Sequence, residues 1–565
     1  MNHSLTIEVS KRTGTYADTL EAIGIASLLN ELHYANVVVR DCGGEFFVIG
    51  ENGPSPDSWP QVTPGFPYVW KREVTDAKTK KTTLVARPSL PEVLDYLAAK
   101  EQNERWKLFS DSQKKNRTAK IAGDAGVDTP EPPPKTYFTA STLESMRKGW
   151  DGDRELAKWL NDDPGRAIDW VRAQLTGAPA PSVTPEISNS QIFNPIGGKG
   201  LHKPKSAIST PNSLPDMLIR PFAEWMKFRG LWAGMLLHRS GDDFKFFVIE
   251  PADISLAELR QIHRRLQEIN PWGVIRLDIW AIFECLRILI NQSEAMQSDG
   301  ISIFGRRPRA VIQGLRLAYF KSLGAAAAIM NEALFPLPDW FQIHSTEDAV
   351  AYLQIIEDTI GDAQTGKFSG CLGSLTEDHS DEGRILQQYR SWLLSGQLAD
   401  LLQFHSQFAV FTMHQRGVKK FVREFQTTTL DLLFGRAFPQ ETALQEIIHN
   451  EGFLSVARAV RDATIYADLK NRPVSFGLAQ TWKQKLKAGD RDFLAAVAEF
   501  TQQQNWLTQH RFKGAGHMVQ TGHLDELVTL IDRFGAELVG SLLLAYGYAR
   551  TPKSKKTDEL EVLSQ

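Results

Sequence analysis

Along the last third of the chain, apolar side chains recur every three or four positions. In HLDELVTLIDRF, Leu524, Leu527, Val528, Ile531 and Phe534 follow the i, i+3, i+4, i+7 rule of a helix with one buried face. Phe493, Val497 and Phe500 repeat the pattern, as do Phe453, Val456, Ala457 and Val460. Joined by short connections, these stripes predict an antiparallel helical bundle over 400–565. The beginning of the chain reads differently. Leu20, Ile23, Leu28 and Leu32 predict a helix over Asp18–Leu32. The β-rich runs Val37–Arg40 and Glu45–Gly50 flank a Gly pair and predict a hairpin. A second β pair is expected at Tyr68–Val74 and Thr82–Ala86, with DAKTKK as its turn.

These signals define an α+β fold, a mixed α/β N-terminal region followed by an all-α C-terminal bundle. Three regions are expected: 1–121, 136–399 and 400–565. The first connector, AGDAGVDTPEPPPK, is proline-rich, and proline both removes backbone donors and favours extended chain. Inside the central region a loop over 177–215 is rich in Pro, Ser, Thr and Gly, long enough to suggest a function of its own. Strands are expected again at Leu231–Leu237 and Phe244–Ile249, and mainly helix after Ala257.

Composition narrows the function classes. Lysine and arginine number 64 against 67 acidic residues, a formal charge of -3, so the chain as a whole is no polycation. Any nucleic-acid binding has to come from locally concentrated charge or be shared with partners. Cys42, Cys285 and Cys371 are far apart, with no CxxC pair for a zinc ribbon. No apolar run reaches the ~20 residues of a membrane span, and the first residues lack the apolar core of a signal peptide. A soluble cytoplasmic protein without membrane contact is expected.

Nucleotide-binding glycine motifs, HExxH and GxSxG are all missing from the sequence. The acidic patch Glu377, Asp378, Asp381 and Glu382, with His379, offers carboxylates for Mg²⁺ and hence an alternative reading as a metal-dependent nuclease. The same patch is also the acidic first turn that a helix favours. His510, His517 and His523 match no standard ligand spacing. The expectation is a protein without catalytic residues, metal or cofactor.

Three constellations point to nucleic acid. Within the long loop, FNPIGGKGLHKPKS places Gly197, Gly198 and Gly200 beside Lys199, Lys203 and Lys205, with no acidic residue between them. Glycines let backbone N–H groups approach an anion, and Asn194 is suited to a base edge. GRRPR supplies Arg306, Arg307 and Arg309 ahead of an expected helix that carries Arg316 and Lys321, with Pro308 at its start. In the bundle, Arg458 and Arg461 lie three apart and Lys483 and Lys487 four apart, each pair predicted to share a helix surface. Trp482 and Trp506 are either core residues or stacking platforms. Lys78, Lys80 and Lys81 read as a solvated turn.

Several segments taken together resemble a known family. DTLEAIGIASLLNEL, FNPIGGKGLHKPK, GLRLAYFKSLGAAAAIMNEALFPLPDWF and LIDRFGAELVGSLLLAYGYAR occur in an order similar to that of the large subunit of type I CRISPR effector complexes (Cascade). The bundle is similar to forms of that subunit with a fused small-subunit-like C-terminus. The resemblance implies partners: a crRNA, target double-stranded DNA and its displaced single strand, backbone, crRNA-end-binding and small subunits, and a helicase-nuclease or transposition machinery recruited later. It also implies roles. The loop carrying Asn194, Lys199, Lys203 and Lys205 would contact the protospacer-adjacent motif, and Arg458, Arg461, Lys483 and Lys487 would hold the displaced strand during R-loop formation. Ligands for the zinc-bound insertion or fused nuclease of some members are not found. An internal start at Met413 would yield a separate small subunit. The competing readings are a DNA-binding scaffold that uses no guide, the nuclease, and an inert structural subunit.

Overall fold

The computed structural model describes residues 3–63, 67–70, 72–76, 78–86, 92–123, 125–131, 153–181, 220–240, 243–268, 273–295, 308–322, 327–361, 368–467, 472–512 and 516–552. The fold is α+β, and the chain divides into two compact units interleaved in sequence. The first comprises Met1–Glu268 and Ala310–Phe335, the second Ile269–Arg309 and Pro336–Gln565.

The first unit is built around helix α1 (Tyr16–Glu31). Thr15 caps it by accepting from the Ala17 N–H, and the Asp18 carboxylate accepts from Thr13 and Gly14, so the turn before the helix is fixed by its own side chains. The expected hairpin is present as β2 (Asn36–Asp41) and β3 (Glu45–Gly53), with Val38 opposite Ile49. Val37 and Val39 face Phe46 and Val48 on the buried side, the period-two alternation of a half-covered sheet. With β1 (His3–Ser10) and β10 (Asp253–Ser255) the order is β1-β3-β2-β10.

The second expected β pair is redistributed. Tyr68–Val74 is not one strand: β4 (Pro67–Trp70) pairs in parallel with β7 (Glu92–Asp95), and β5 (Glu73–Thr75) pairs with β6 (Thr82–Leu84). The intervening turn is tight, with the Asp76 carboxylate accepting from the Lys78 and Thr79 N–H groups at 2.8 and 2.7 Å. Helix α2 (Tyr96–Ala122) then reaches the start of the expected proline-rich connector. Helices α3 (Asp153–Asp162) and α4 (Pro164–Thr176) follow.

Leu231–Leu237, expected as a strand, is helix for most of its length. Helix α5 (Pro221–Gly234) runs through it before β8 (Met235–Ser240) begins. The reason lies in how α5 meets α1. Gly24 and Gly230 let the two backbones touch: a Cβ on Gly24 would lie 1.7 Å from the Met226 carbonyl oxygen, and one on Gly230 1.9 Å from that of Leu20. Trp225 stacks on Trp170 of α4 at 5.9 Å, and the buried Arg229 donates to Glu31 at 2.5 Å.

The region after Ala257 was expected to be helical. Helix α6 (Leu256–Glu268) is, but Ile312–Ser322 and Ala327–Pro336 are strands β11 and β12. They join β9 (Asp243–Pro251) and β8 in the order β12-β11-β9-β8. Pro308 therefore opens a 3₁₀ turn before a strand and no helix. Arg316 lies on β11, with its Nε 2.9 Å from Glu250 and its Nη1 donating to the Gly14 carbonyl.

The second unit is helical in its described residues: α7 (Ile275–Ala295), α8 (Thr346–Ile360), α9 (Ser380–Ser395), α10 (Leu398–Gly417), α11 (Thr427–Ala437), α12 (Thr442–Ile448), α13 (Glu451–Ala463), α14 (Leu478–Ala488), α15 (Asp490–His510), α16 (Thr521–Phe534) and α17 (Ala536–Gly547). Gly396, with φ of 64°, reverses the chain between α9 and α10. The centre is aromatic. Tyr389 meets Phe404 at 4.8 Å, Phe404 stacks on Phe408 at 5.6 Å, and Phe453 meets Tyr546 edge-on at 5.6 Å. Met413 is buried near the end of α10, so a chain starting there would lack most of that packed helix.

Candidate nucleic-acid interface

The loop residues Asn194, Gly197, Gly198, Lys199, Lys203 and Lys205, and the arginines Arg306 and Arg307, lie outside the described residues. Arg309 is described, and it forms an ion pair with Asp339. The positions that can be placed therefore belong to the helical unit.

Arg458 and Arg461 do not share a surface. Helix α13 is buried over most of its circumference, from Gly452 and Phe453 through Val460 to Ala463. Three residues advance a helix by about 300°, enough to carry one side chain of such a pair inside when only a narrow strip faces water. Arg461 points inward, and its Nη1 donates to the Tyr546 carbonyl at 2.6 Å. Burial holds its guanidinium below the ordinary arginine range. It ties α13 to α17, and the strand-holding role expected for it is corrected to a structural one. Arg458 remains exposed, with no hydrogen bond or ion pair to any of the described residues. Beside it the Ser455 hydroxyl and His517 Nε2 are 2.8 Å apart, and the Asp462 carboxylate accepts from the His517 backbone N–H. Burial, then the charge of Arg458, push the His517 imidazole below its usual value.

The lysines of α14 form a different arrangement. Lys483 is half-buried and Lys487 exposed, one turn apart. Burial lowers the Lys483 ammonium pKa, and the positive charges of Lys487 and Arg384 lower it further. Arg384 comes from α9, where it pairs with Asp381. Lys485 is drawn away to Asp492 at 3.8 Å. Neither Lys483 nor Lys487 pairs with a carboxylate among the described residues. The result is a knot of like charge, already uncomfortable, that a phosphate would relieve. Sequence reasoning missed Arg384, because its effect on Lys483 depends on side chains far apart in sequence coming near one another.

The two tryptophans separate cleanly. Trp482 is 1% exposed and packs edge-on against Phe493 and Phe500 at 5.6 and 5.4 Å, so it is core. Trp506 is 58% exposed and carries His510 stacked on its ring at 5.1 Å. A second exposed aromatic, Phe421, follows Lys419 and Lys420 in the turn after α10, where no apolar periodicity marks it.

The acidic patch is divided among structural tasks. Glu377 accepts from the Val274 and Arg276 N–H groups at the start of α7, at 2.8 and 2.7 Å. Glu382 accepts from the Thr376 N–H at 2.7 Å and from Gln415. Among the described residues no group of three or more His, Cys, Asp or Glu side chains is placed to hold a metal ion. No described helix is long and apolar enough to cross a membrane. No protein-family model and no curated protein sequence matches the chain.

Proposed function

We propose that this protein is the large subunit of an RNA-guided type I CRISPR surveillance complex, cytoplasmic and non-catalytic. In that role it reads the motif flanking the target in double-stranded DNA and holds the displaced strand while the crRNA pairs. Its other partners are the backbone, crRNA-end-binding and small subunits, followed by a helicase-nuclease or transposition machinery. The ordered likeness of sequence segments supports the family assignment. The observation that carries the nucleic-acid part is the pair Lys483 and Lys487, one turn apart beside the already paired Arg384 and without a carboxylate partner among the described residues, with Arg458 likewise exposed and without one.

The division of labour follows from chemistry. Base pairing supplies sequence specificity, so the protein needs a surface that attracts phosphate and tolerates any base. A chain with a net charge of -3 provides that only at local knots, which suits a subunit acting inside an assembly.

The test is co-purification with neighbouring-gene subunits, followed by sequencing of the bound RNA. A uniform crRNA and target binding that depends on the flanking motif are expected. Heterogeneous RNA, or none, with equal binding of all duplexes, refutes the guided reading and favours the scaffold. The purified chain with Mg²⁺ or Mn²⁺ should leave plasmid DNA intact, and cleavage abolished by Asp378→Ala would establish the nuclease instead.

A further inference from the structure

We propose that the turn after α10, Gly417–Phe421, together with Phe476, is a stacking tip for the bases of unpaired nucleotides; this rests on the nucleic-acid reading above and adds a second contact of a different kind.

The tip is presented by a fixed backbone. As α10 ends, the Val418, Lys419 and Lys420 N–H groups turn back onto the carbonyls of His414, Arg416 and Gln415 at 3.3, 2.9 and 2.9 Å. Lys419 takes the left-handed conformation, with φ of 56°, that such a helix end requires. Beyond the turn the chain is pinned at once. Val422 is buried, the Arg423 N–H donates to Ser374 Oγ at 3.2 Å, and the Glu424 carboxylate is held by Arg416 and Arg550 at 3.0 and 2.8 Å. Phe425 enters the aromatic core against Phe404 and Phe408.

Between these anchors Phe421 stands 82% exposed, with Val418 at 54%. Phe476, 45% exposed, lies at the base of the same turn: its ring would be 3.7 Å from a Cβ on Gly417. Lys419 and Lys420 are exposed and make no ion pair among the described residues. The nearest carboxylate in sequence, Glu424, is buried and already doubly paired.

An apolar ring held out on an anchored turn, flanked by two uncompensated ammonium groups, complements a ligand with a flat apolar face joined to an anion. An unpaired nucleotide has both. A duplex hides its base faces, so the tip discriminates single from double strands without reading sequence.

The experiment is a fluorescence-anisotropy titration of the full chain with three probes: a short single strand of mixed sequence, the same strand with central abasic sites, and its blunt duplex. The intact strand should bind about tenfold tighter than the abasic one, the equivalent of stacking on one aromatic side chain. Phe421→Ala should abolish that ratio and Phe421→Trp should keep it. Lys419→Ala with Lys420→Ala should weaken intact and abasic strands alike. At 82% exposure Phe421 contributes little to the core, so an unchanged circular-dichroism melt is expected for Phe421→Ala. If Phe421→Ala leaves the ratio untouched while Lys483→Ala with Lys487→Ala weakens both strands, the tip is wrong and the nucleic-acid reading stands. Absence of any oligonucleotide binding defeats both. Phe421-dependent flotation with phosphatidylserine vesicles, without a preference for bases, overturns the tip in favour of a membrane contact.

Discussion

Replacing Gly24 by alanine tests the packing on which the first unit depends. In the wild-type structure a Cβ at this position would lie 1.7 Å from the Met226 carbonyl oxygen, whereas real Cβ atoms essentially never approach within 3.0 Å. The obstacle is backbone, so no side chain can swing away. Helices α1 and α5 must separate by roughly 1.3 Å, the difference of those two distances. A gap of about 1 Å already forfeits about half of the dispersion well for the atoms lining it, and this one is wider. Those atoms belong to fully buried residues on both helices: Leu20, Ile23, Leu28, Trp225, Met226 and Leu231.

Overpacking typically costs about 1–3 kcal/mol and more where main chain blocks relaxation. Alanine returns about 1 kcal/mol of helix propensity. The net expectation is a loss of about 3 kcal/mol, or a fall in Tm of roughly 6–12 °C for a domain above 150 residues. Thermal unfolding followed by tryptophan fluorescence reads it directly, since Trp170 and Trp225 stack beside the crossing. Gly435→Ala is the control: its nearest atom is Gln445 Nε2 at 3.7 Å, an ordinary contact, so that variant should be unchanged or more stable by up to about 1 kcal/mol. Gly230→Ala should match Gly24→Ala, and the pair together should cost less than the sum, because helices already displaced accept the second methyl cheaply. If Gly24→Ala unfolds within about 0.5 kcal/mol of wild type, a typical surface-substitution effect, the close crossing is refuted.

Three further outcomes are expected. Arg461→Met removes the short charged bond to the buried Tyr546 carbonyl, leaving it the longer 3.4 Å bond from the Ala549 N–H, and should cost about 1–3 kcal/mol, with no change in the salt dependence of DNA binding; a changed salt slope would return Arg461 to the interface. Lys483→Ala with Lys487→Ala should lower the salt slope for a single strand by roughly 0.7 per lost phosphate contact, read from affinities between 50 and about 200 mM salt, and an unchanged slope would remove the knot from the site. His405 is enclosed by Phe404, Phe425 and Phe434, and burial pushes its imidazole down to about 3. The unfolded chain takes up a proton below about 6.5 that the folded chain refuses, so stability present above that pH is lost as pH falls, by about 2 kcal/mol at pH 5. His405→Phe should remove one proton's worth of that slope in urea titrations, and an identical pH profile would show that the imidazole is not held neutral.

Where the sequence was a good guide, one period dominated. Helix α1 and the helices carrying Phe453, Phe493 and Leu527 each have a single apolar stripe or run, and the hairpin β2–β3 alternates with period two. Where it misled, local preference and tertiary partner disagreed. Leu231–Leu237 is an apolar run that fits helix or strand equally, and only the close crossing of α1 and α5, Gly24 on Met226 and Gly230 on Leu20, explains why α5 persists to Gly234. The stretch holding β11 and β12 is alanine-rich and helix-favouring, yet Leu315 and Leu317 pair beside Ile249 and Phe247 on β9, and that pairing prevails. For the site, charge could be counted from sequence but its compensation could not. Arg458 and Arg461 look equivalent as text, and one of them is locked inside.

That distinction governs how the protein can meet a polyanion. Arg309, Arg316, Lys485 and Arg461 are each committed, to Asp339, Glu250, Asp492 and the Tyr546 carbonyl. What remains among the cations of the helical unit weighed above is sparse: Arg458, Lys483, Lys487, Lys419 and Lys420, none paired with a carboxylate among the described residues. Each phosphate neutralised releases less than one counterion from a single strand, so a handful of contacts gives a shallow salt dependence. Weak, salt-tolerant binding with an aromatic component is poorly suited to capturing DNA alone. It is well suited to holding a strand that another component has already separated, where proximity raises the effective concentration and each added contact need supply only a modest gain.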